Sequence, residues 1–399
     1  MRTKPRENLM SLNISVVIPT YNRCALIGES IASAWHQDIA PHEIIVVDDG
    51  STDATAQVVE AACAPVRYLR QDNAGKSAAL NRGIEAARGD LLLVLDDDDI
   101  LPAGALAAHV AALEGNPDAA ISYGRFTRFR GPGEEAHLSR DIEPMPDQDG
   151  RRFLVRLLER CFLPNPAWMV RREAQLLAGP YRSDLPRGQD YDMILRIARE
   201  NRAVSANAVT LYQRKHISER RTREGLSRTE NTVGGWIEAE KSIFAKIDET
   251  WDDSDFAPYD DVESGDEARR LAALQRGVVM FMRKLYDRSE RHFRRYALMP
   301  GADRPGAREL VVAGSLMGCR YGIEEILDGR EDISWLRHVG LPDALRPALA
   351  CQLPWRLREL AQGGRLRDAG QLLAIGSRTF GAKALAHAAA ARVSRALAR

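Results

Sequence analysis

Four consecutive aspartates occupy positions 96–99, directly after the apolar run LLLVL. Adjacent carboxylates repel one another, and folding alone gives no reason to place four acids together. A divalent cation would relieve this repulsion, because hard cations such as Mg²⁺ and Mn²⁺ prefer carboxylate oxygens as ligands. The run therefore predicts a site for a cation and a diphosphate. A solvated cluster of surface charges is the alternative.

Two other polar segments also follow apolar runs. They are PTYNR at 19–23 and DDGS at 48–51. In an open α/β sheet, ligands bind beyond the carboxyl ends of the strands, so all three segments are expected at one edge. There the ring of Tyr21 and the carboxylate of Asp49 could hold a planar base while the acid run holds phosphate. Alone, each segment could be an ordinary turn or helix entry.

The hydrophobic pattern predicts the elements that position these residues. Short apolar runs alternate with helix-length segments, and unbroken apolar runs are typical of strands covered on both faces. The pattern predicts a doubly wound α/β sheet with a Rossmann-like N-terminal half. The predicted strands are 14–19, 43–48, 66–69 and 90–95, and the predicted helices are 25–37, 53–62 and 75–87.

Length and composition set the broad class of the protein. The 399 residues exceed the about 100 to 200 of a typical domain, and 56 basic residues balance 56 acidic ones. A balanced chain has no overall attraction for nucleic acid, so we expect no nucleic-acid partner. Five scattered cysteines without a CxxC spacing fit a reducing compartment. Neither a signal peptide nor an apolar span of about 20 residues is evident, which predicts a cytoplasmic location.

The pattern changes past about residue 228. We predict an N-terminal tail at 1–13, an α/β domain at 14–228 and a mainly α-helical region at 229–399. Within that region, 248–267 holds ten acids and no Lys or Arg, which predicts an exposed acidic loop. The stretch 370–399 is rich in alanine and has five basic residues without an acid. It predicts either a solvated helix or peripheral contact with the inner face of an anionic membrane.

Four motifs together carry a resemblance to a known family. VVIPTYNR, VVDDGSTD, NAGKSAALNRG and VLDDDDILP resemble, in order and spacing, the nucleotide-sugar domain of family 2 glycosyltransferases of the GT-A fold. The segment 165–198 is similar to the acceptor half of that family, and the resemblance extends over about 14–216. It implies a GT-A-type mixed sheet. It also implies a metal-dependent, inverting transfer of sugar from a nucleotide-sugar donor, for which a UDP-linked sugar is the favoured candidate.

The resemblance also implies roles for residues that bind the donor. Thr20 and Tyr21 would line the base pocket, with Tyr21 stacking on the base. Asp49 would accept a hydrogen bond from a ring N–H. Lys76 would lie near the base or the phosphates, and Asp96 nearer the ribose.

The same resemblance implies the metal and catalytic groups. Asp98 would bind Mn²⁺ or Mg²⁺ in the DXD motif of the family, with Asp97 or Asp99 able to share the metal and donor contacts. Asp190 would be the catalytic base, although Gln189 stands where the family usually has Glu. His216 corresponds to a histidine that joins the metal or the diphosphate in many GT-A enzymes. As a lone histidine it could equally be structural.

Alternative functions remain at this point. LLLVLDDDDIL also resembles haloacid-dehalogenase-like phosphatases, in which Asp96 would attack phosphate. Ile100, however, stands where that family has Thr or Val. A catalytically silent glycosyltransferase-like domain, serving as a scaffold for the helical region, is the non-enzymatic alternative.

The expected partners follow from the motifs that the chain contains and lacks. The Gln-x-x-Arg-Trp motif of processive synthases is absent from the sequence. We therefore expect transfer of a single sugar in polysaccharide or glycoconjugate biosynthesis. The acceptor would be a hydroxyl of a glycan, a lipid-linked glycan or another small molecule.

Overall fold

The computed structural model describes residues 12–129, 142, 153–215, 220–222, 225–227, 232–257 and 265–397. The chain divides into two compact units. The N-terminal unit comprises Met1–Asp147 and Cys161–Asn231, and the C-terminal unit comprises Gln148–Arg160 and Thr232–Arg399. The domain boundary drawn at 228/229 stays a prediction.

The N-terminal unit is built on a mixed seven-stranded sheet in the order β3-β2-β1-β4-β6-β5-β7. Its strands are β1 (Ile14–Thr20), β2 (Glu43–Asp48), β3 (Val66–Arg70), β4 (Leu91–Val94), β5 (Ala119–Phe129), β6 (Trp168–Arg171) and β7 (Arg202–Arg214). Its helices are α1 (Ile27–Trp35), α2 (Thr55–Glu60), α3 (Lys76–Ala86), α4 (Ala105–Gly115), α6 (Arg172–Leu177) and α7 (Gln189–Glu200). A separate two-stranded ribbon pairs β8 (Arg220–Thr222) with β9 (Gly225–Ser227).

The first four strands form the parallel half of this sheet. β1 pairs in parallel with both β2 and β4, and β2 pairs with β3. All seven residues of β1 are buried, as expected for a strand covered by helices on both faces. Because these strands run in one direction, their carboxyl ends meet at one edge of the sheet.

The second half turns the sheet into a mixed one. β6 lies antiparallel to both β4 and β5, and β7 runs parallel to β5. The end of β7 is also bonded to the chain beyond β4: Ile100 and Tyr212 exchange both backbone hydrogen bonds, at 3.1 and 2.9 Å. β7 therefore reaches the acid run from the side opposite β1.

The C-terminal unit is helical in its described residues. Its longer helices, of eight residues or more, are α8 (Thr232–Thr250), α9 (Asp266–Met282), α10 (Tyr286–Ala297), α14 (Leu353–Gln362), α15 (Leu366–Phe380) and α16 (Ala382–Leu397). Shorter ones are α5 (Phe153–Glu159), α11 (Ala307–Ala313), α12 (Glu324–Leu327) and α13 (Arg346–Leu349). These findings confirm the predicted α/β mixed sheet followed by a mainly helical region.

Parts of the predicted acidic loop at 248–267 are helical among the residues that the structure describes. Asp248 lies near the end of α8 and pairs with Arg276 at 2.8 Å and with Arg288 at 3.1 Å. Phe256 is fully buried, and α9 begins at Asp266. Asp248 is thus paired with basic side chains from two other helices, which local composition cannot reveal.

No helix among the described residues is long and apolar enough to cross a membrane. In α16, Ala384 and Ala388 are buried in the core of the C-terminal unit, with Leu385 packed beside them. One face of this helix is thus already occupied by the unit itself.

Candidate active site

The first two strand ends are joined by direct hydrogen bonds. The Asp49 N–H donates to the Thr20 carbonyl at 2.9 Å. Asn22 has a left-handed backbone, with φ of 54°, and its side-chain oxygen accepts the Thr52 N–H at 2.8 Å. Asparagine tolerates this conformation better than most residues. Thr20 is buried and Tyr21 is half-buried, so the two predicted base-pocket residues lie next to the β2 end.

Asp49 is engaged with the loop that leads into α3. Its buried carboxylate accepts hydrogen bonds from the Ala74 N–H, the Gly75 N–H and the Gln71 side chain, each at 2.8 Å. An ionised carboxylate offers about four acceptor positions, so one remains for a ligand. Gly75 has φ of 91°, a conformation that favours glycine immediately before the helix.

The acid run turns tightly after β4. The Asp99 N–H donates to the Asp96 carbonyl at 3.1 Å. Single carboxylate oxygens of Asp96, Asp98 and Asp99 lie within 4.8 Å of one another. Three hard oxygen ligands so close together fit Mg²⁺ or Mn²⁺. Asp97 instead faces Arg23, at 3.6 Å.

Burial and like charges act together on the carboxylates of the acid run. Removal from water and the charge of Asp98 raise the pKa of Asp97 to about 7, even though Arg23 and Thr20 oppose the shift. The same two causes raise the pKa of Asp99. Arg23 also approaches Asp98, at 3.7 Å. A bound cation would add positive charge beside these carboxylates.

Lys76, the first residue of α3, is paired with Asp96 at 2.6 Å. Removal from water disfavours its charged form, but Asp96, Asp190 and Asp98 outweigh this effect and raise the pKa of Lys76. The predicted place of Lys76 near the base or the phosphates stays a prediction. Its ammonium contacts the acid run at Asp96, and the charge of Asp190 also acts on it.

Helix α3 also holds the segment that precedes α7. The Asn81 side chain bonds both backbone groups of Tyr181, accepting its N–H at 2.7 Å and donating to its carbonyl at 2.9 Å. The Ser77 hydroxyl donates to the Arg182 carbonyl at 2.8 Å. Gly83 lets α3 pack closely on the sheet, because a Cβ there would lie 2.4 Å from a methyl group of Val17. One helix thus links the sheet, the acid run and the approach to α7.

Asp190 lies in the first turn of α7, where one carboxylate oxygen accepts the Tyr191 N–H at 2.9 Å. Removal from water raises the pKa of Asp190, Lys76 opposes the shift, and Asp96 adds to it. The charges of both Lys76 and Asp96 therefore reach this carboxylate. A half-buried carboxylate with a raised pKa is suited to accepting a proton.

The structure brings most of the predicted residues to one edge of the sheet. These residues are Thr20, Tyr21, Asp49, Lys76, Asp96, Asp97, Asp98 and Asp190. His216 lies outside the described residues. Sequence reasoning missed Arg23, Asn81 and Arg214. Arg23 and Asn81 fall inside the motifs already recognised, while Arg214 carried no signal.

Comparison with known proteins gives the family context. Residues 15–175 match the family model described as Glycosyl transferase family 2. The chain is 38% identical over 99 residues to GalNAc(5)-diNAcBac-PP-undecaprenol beta-1,3-glucosyltransferase of Campylobacter jejuni. The aligned region covers 24% of this chain and 32% of that protein. The chain is 41% identical over 96 residues to glycosyltransferase GlyG of Streptococcus pneumoniae, with 23% and 32% covered. The chain thus spans about a third of the length of these relatives.

Solved structures agree with this context at the level of the fold. The chain is similar to residues 1–349 of S. aureus TarS in complex with UDP-GlcNAc, with a TM-score of 0.51. The alignment covers 92% of this chain and 91% of that one at 16% identity. At this identity the similarity shows the fold alone.

The role of Asn81 can be tested by Asn81→Ala. Loss of two hydrogen bonds should lower the free energy of local opening of residues 178–188 by about 1–3 kcal/mol. Amide hydrogen exchange measures this opening. Asn116→Ala is the control, since exposed Asn116 makes one bond to its own helix. Unchanged exchange of 178–188 in Asn81→Ala would show that Asn81 does not hold the segment.

Proposed function

Residues 15–175 belong to glycosyl transferase family 2, and on that premise we propose that the protein transfers a single sugar from a nucleotide-sugar donor to an acceptor hydroxyl. One observation carries the proposal: a carboxylate cluster paired with Lys76 lies near enough to Asp190, on another element, for the charges of Lys76 and Asp96 to act on the Asp190 carboxylate. Sugar transfer needs positive charge near the leaving diphosphate and a base near the acceptor. The cluster suits the first need and Asp190 the second.

We assign a UDP-linked donor to the pocket at the ends of β1 and β2. Tyr21 would stack on the base beside Thr20, and the fourth acceptor position of Asp49 would receive a ring N–H. The complex of TarS with UDP-GlcNAc has the same fold, which supports UDP-GlcNAc as the first donor to try.

Asp98 is the proposed main ligand of Mn²⁺ or Mg²⁺, with Asp96 and Asp99 close enough to share it. The cation would supply positive charge to the departing diphosphate. Asp96 and Asp97 would also face the donor, with Lys76 and Arg23 as their basic partners. His216 is proposed as a further ligand of the metal or the diphosphate.

Asp190 would remove the proton from the attacking hydroxyl on the face of the sugar opposite the diphosphate. A single displacement of this kind inverts the anomeric centre. The phosphatase alternative requires Asp96 as a nucleophile. The family match favours sugar transfer instead.

A lipid-linked acceptor would bring the enzyme to a membrane surface, and the name of the Campylobacter jejuni relative contains such a lipid-linked compound. Peripheral contact through 370–399 at the cytoplasmic face is part of this proposal. Because Ala384 and Ala388 are buried, contact would use the exposed basic side chains Arg378 and Lys383.

Asp98→Ala should abolish metal-dependent nucleotide binding, because it removes both a ligand and a charge. Calorimetry with UDP and Mn²⁺ measures the affinity. Asp72→Ala, at an exposed position in the loop before α3, is the matched control. If Asp98→Ala keeps the Mn²⁺-dependent affinity of the wild type, Asp98 is not a metal ligand.

Asp190→Asn should keep the affinity for nucleotide and lower turnover by about 10² or more, because the base acts in the chemical step. Release of UDP from UDP-GlcNAc and other UDP-sugars measures turnover. Exposed Asp184, changed to Asn, is the control. Turnover of a folded Asp190→Asn protein close to that of the wild type would end the assignment.

Membrane contact can be tested with the double variant Arg378→Glu/Lys383→Glu. It should sediment less with anionic vesicles at low salt than the wild type, because each basic residue near the surface contributes about 1 kcal/mol. A truncation is less suitable, since Leu372 and Phe380 belong to the core. Equal sedimentation of the double variant, the wild type and the control Arg304→Glu would exclude this role.

A further inference from the structure

Residues of β7 and α1 donate hydrogen bonds to the turn formed by the acid run. The Arg214 N–H donates to the Asp99 carboxylate at 2.8 Å. The hydroxyl of Ser30 donates to the Asp99 carbonyl at 2.8 Å. Together with the two bonds between Ile100 and Tyr212, these contacts fix the backbone on both sides of Asp99.

The Arg214 side chain makes three further contacts at once. Its Nε donates to the Asp98 carbonyl at 2.8 Å, and its Nη2 pairs with Glu29 at 2.6 Å. Its guanidinium lies over the Phe129 ring, 4.4 Å from the ring centre. The side chain is only 5% exposed, so it is packed rather than solvated.

This set of contacts requires a planar guanidinium. A lysine could place one charge near Glu29, but its ammonium cannot bond a carbonyl through a mid-chain nitrogen while lying flat on a ring. Arginine combines these contacts with the backbone bond to Asp99. The consequence is that the Asp98 carbonyl and the Asp99 carboxylate are held in place before any ligand binds.

We propose that Arg214 is a positioning residue of the cation site: it fixes the Asp98 carbonyl and the Asp99 carboxylate so that oxygens of Asp96, Asp98 and Asp99 converge. The inference rests on the proposed function, which places a divalent cation at these carboxylates. Arg214 acts through the turn and is not itself a ligand. Residues that orient metal ligands typically change metal affinity by about 10- to 100-fold when mutated.

The experiment is calorimetry of the full chain with UDP, once with Mn²⁺ and once with EDTA. Arg214→Met should lower the UDP affinity in Mn²⁺ by about 10- to 100-fold and leave the affinity in EDTA unchanged. Binding of Mn²⁺ alone, followed by electron paramagnetic resonance, should weaken in parallel. Arg202→Met is the matched control, since Arg202 lies at the other end of β7 in an exposed pair with Asp118. It should change neither affinity.

Two variants keep the inference testable if Arg214→Met does not fold. Every variant at 214 keeps the backbone bond to Asp99 and therefore tests the side chain. Arg214→Lys keeps the charge but loses the planar guanidinium, and Glu29→Gln removes the charge that Nη2 faces. Both should weaken Mn²⁺-dependent UDP binding without changing binding in EDTA. They are judged by the same criterion as Arg214→Met.

Two results would overturn the inference while leaving the proposed function intact. One is Mn²⁺-dependent affinity within about twofold of the wild type in the folded variants, below the effect of an orienting residue. The other is an equal loss of affinity in Mn²⁺ and in EDTA, which would indicate a general effect on the fold. Failure of the proposed function looks different: the wild type itself would then bind UDP no better with Mn²⁺ than with EDTA.

Discussion

The confinement of four like charges at the end of one short strand governs the architecture of the candidate site. Desolvation and mutual repulsion raise the pKa values of Asp97 and Asp99, so the turn needs positive charge nearby. The fold supplies it from different elements: Lys76 from the start of α3 and Arg23 from the loop after β1. These groups leave Asp96, Asp98 and Asp99 clustered, which suits a divalent cation.

Helix α3 makes the second connection on which the site depends. Its first residue pairs with the acid run, while Ser77 and Asn81 hold the segment that leads to α7. Helix α3 therefore connects the carboxylate cluster with the segment that leads to Asp190. In a displacement reaction, a base and a leaving group must keep a fixed separation, and small errors in placement are costly.

The sequence could predict what depends on local pattern. Apolar runs placed β1 to β4, and the direction of parallel strands placed Thr20, Tyr21, Asp49 and the acid run at one edge. The motifs also brought Asp190 to the site. What they could not predict depends on residues distant in the chain: Lys76 pairing with Asp96, Asn81 bonding Tyr181, and Arg214 supporting Asp98 and Asp99. For the same reason, composition could not reveal that Asp248 pairs with Arg276 and Arg288, which lie elsewhere in the chain.

The central claim is that one sheet edge holds the nucleotide, the cation and the base together. Its most direct test is a crystal structure of the full chain with UDP-GlcNAc and Mn²⁺, using anomalous scattering to locate the metal. The account predicts an anomalous peak bonded to Asp98, the base against Tyr21, and Asp190 facing the anomeric carbon on the side away from the diphosphate. A nucleotide or Mn²⁺ bound away from the carboxyl ends of β1, β2 and β4 would contradict it.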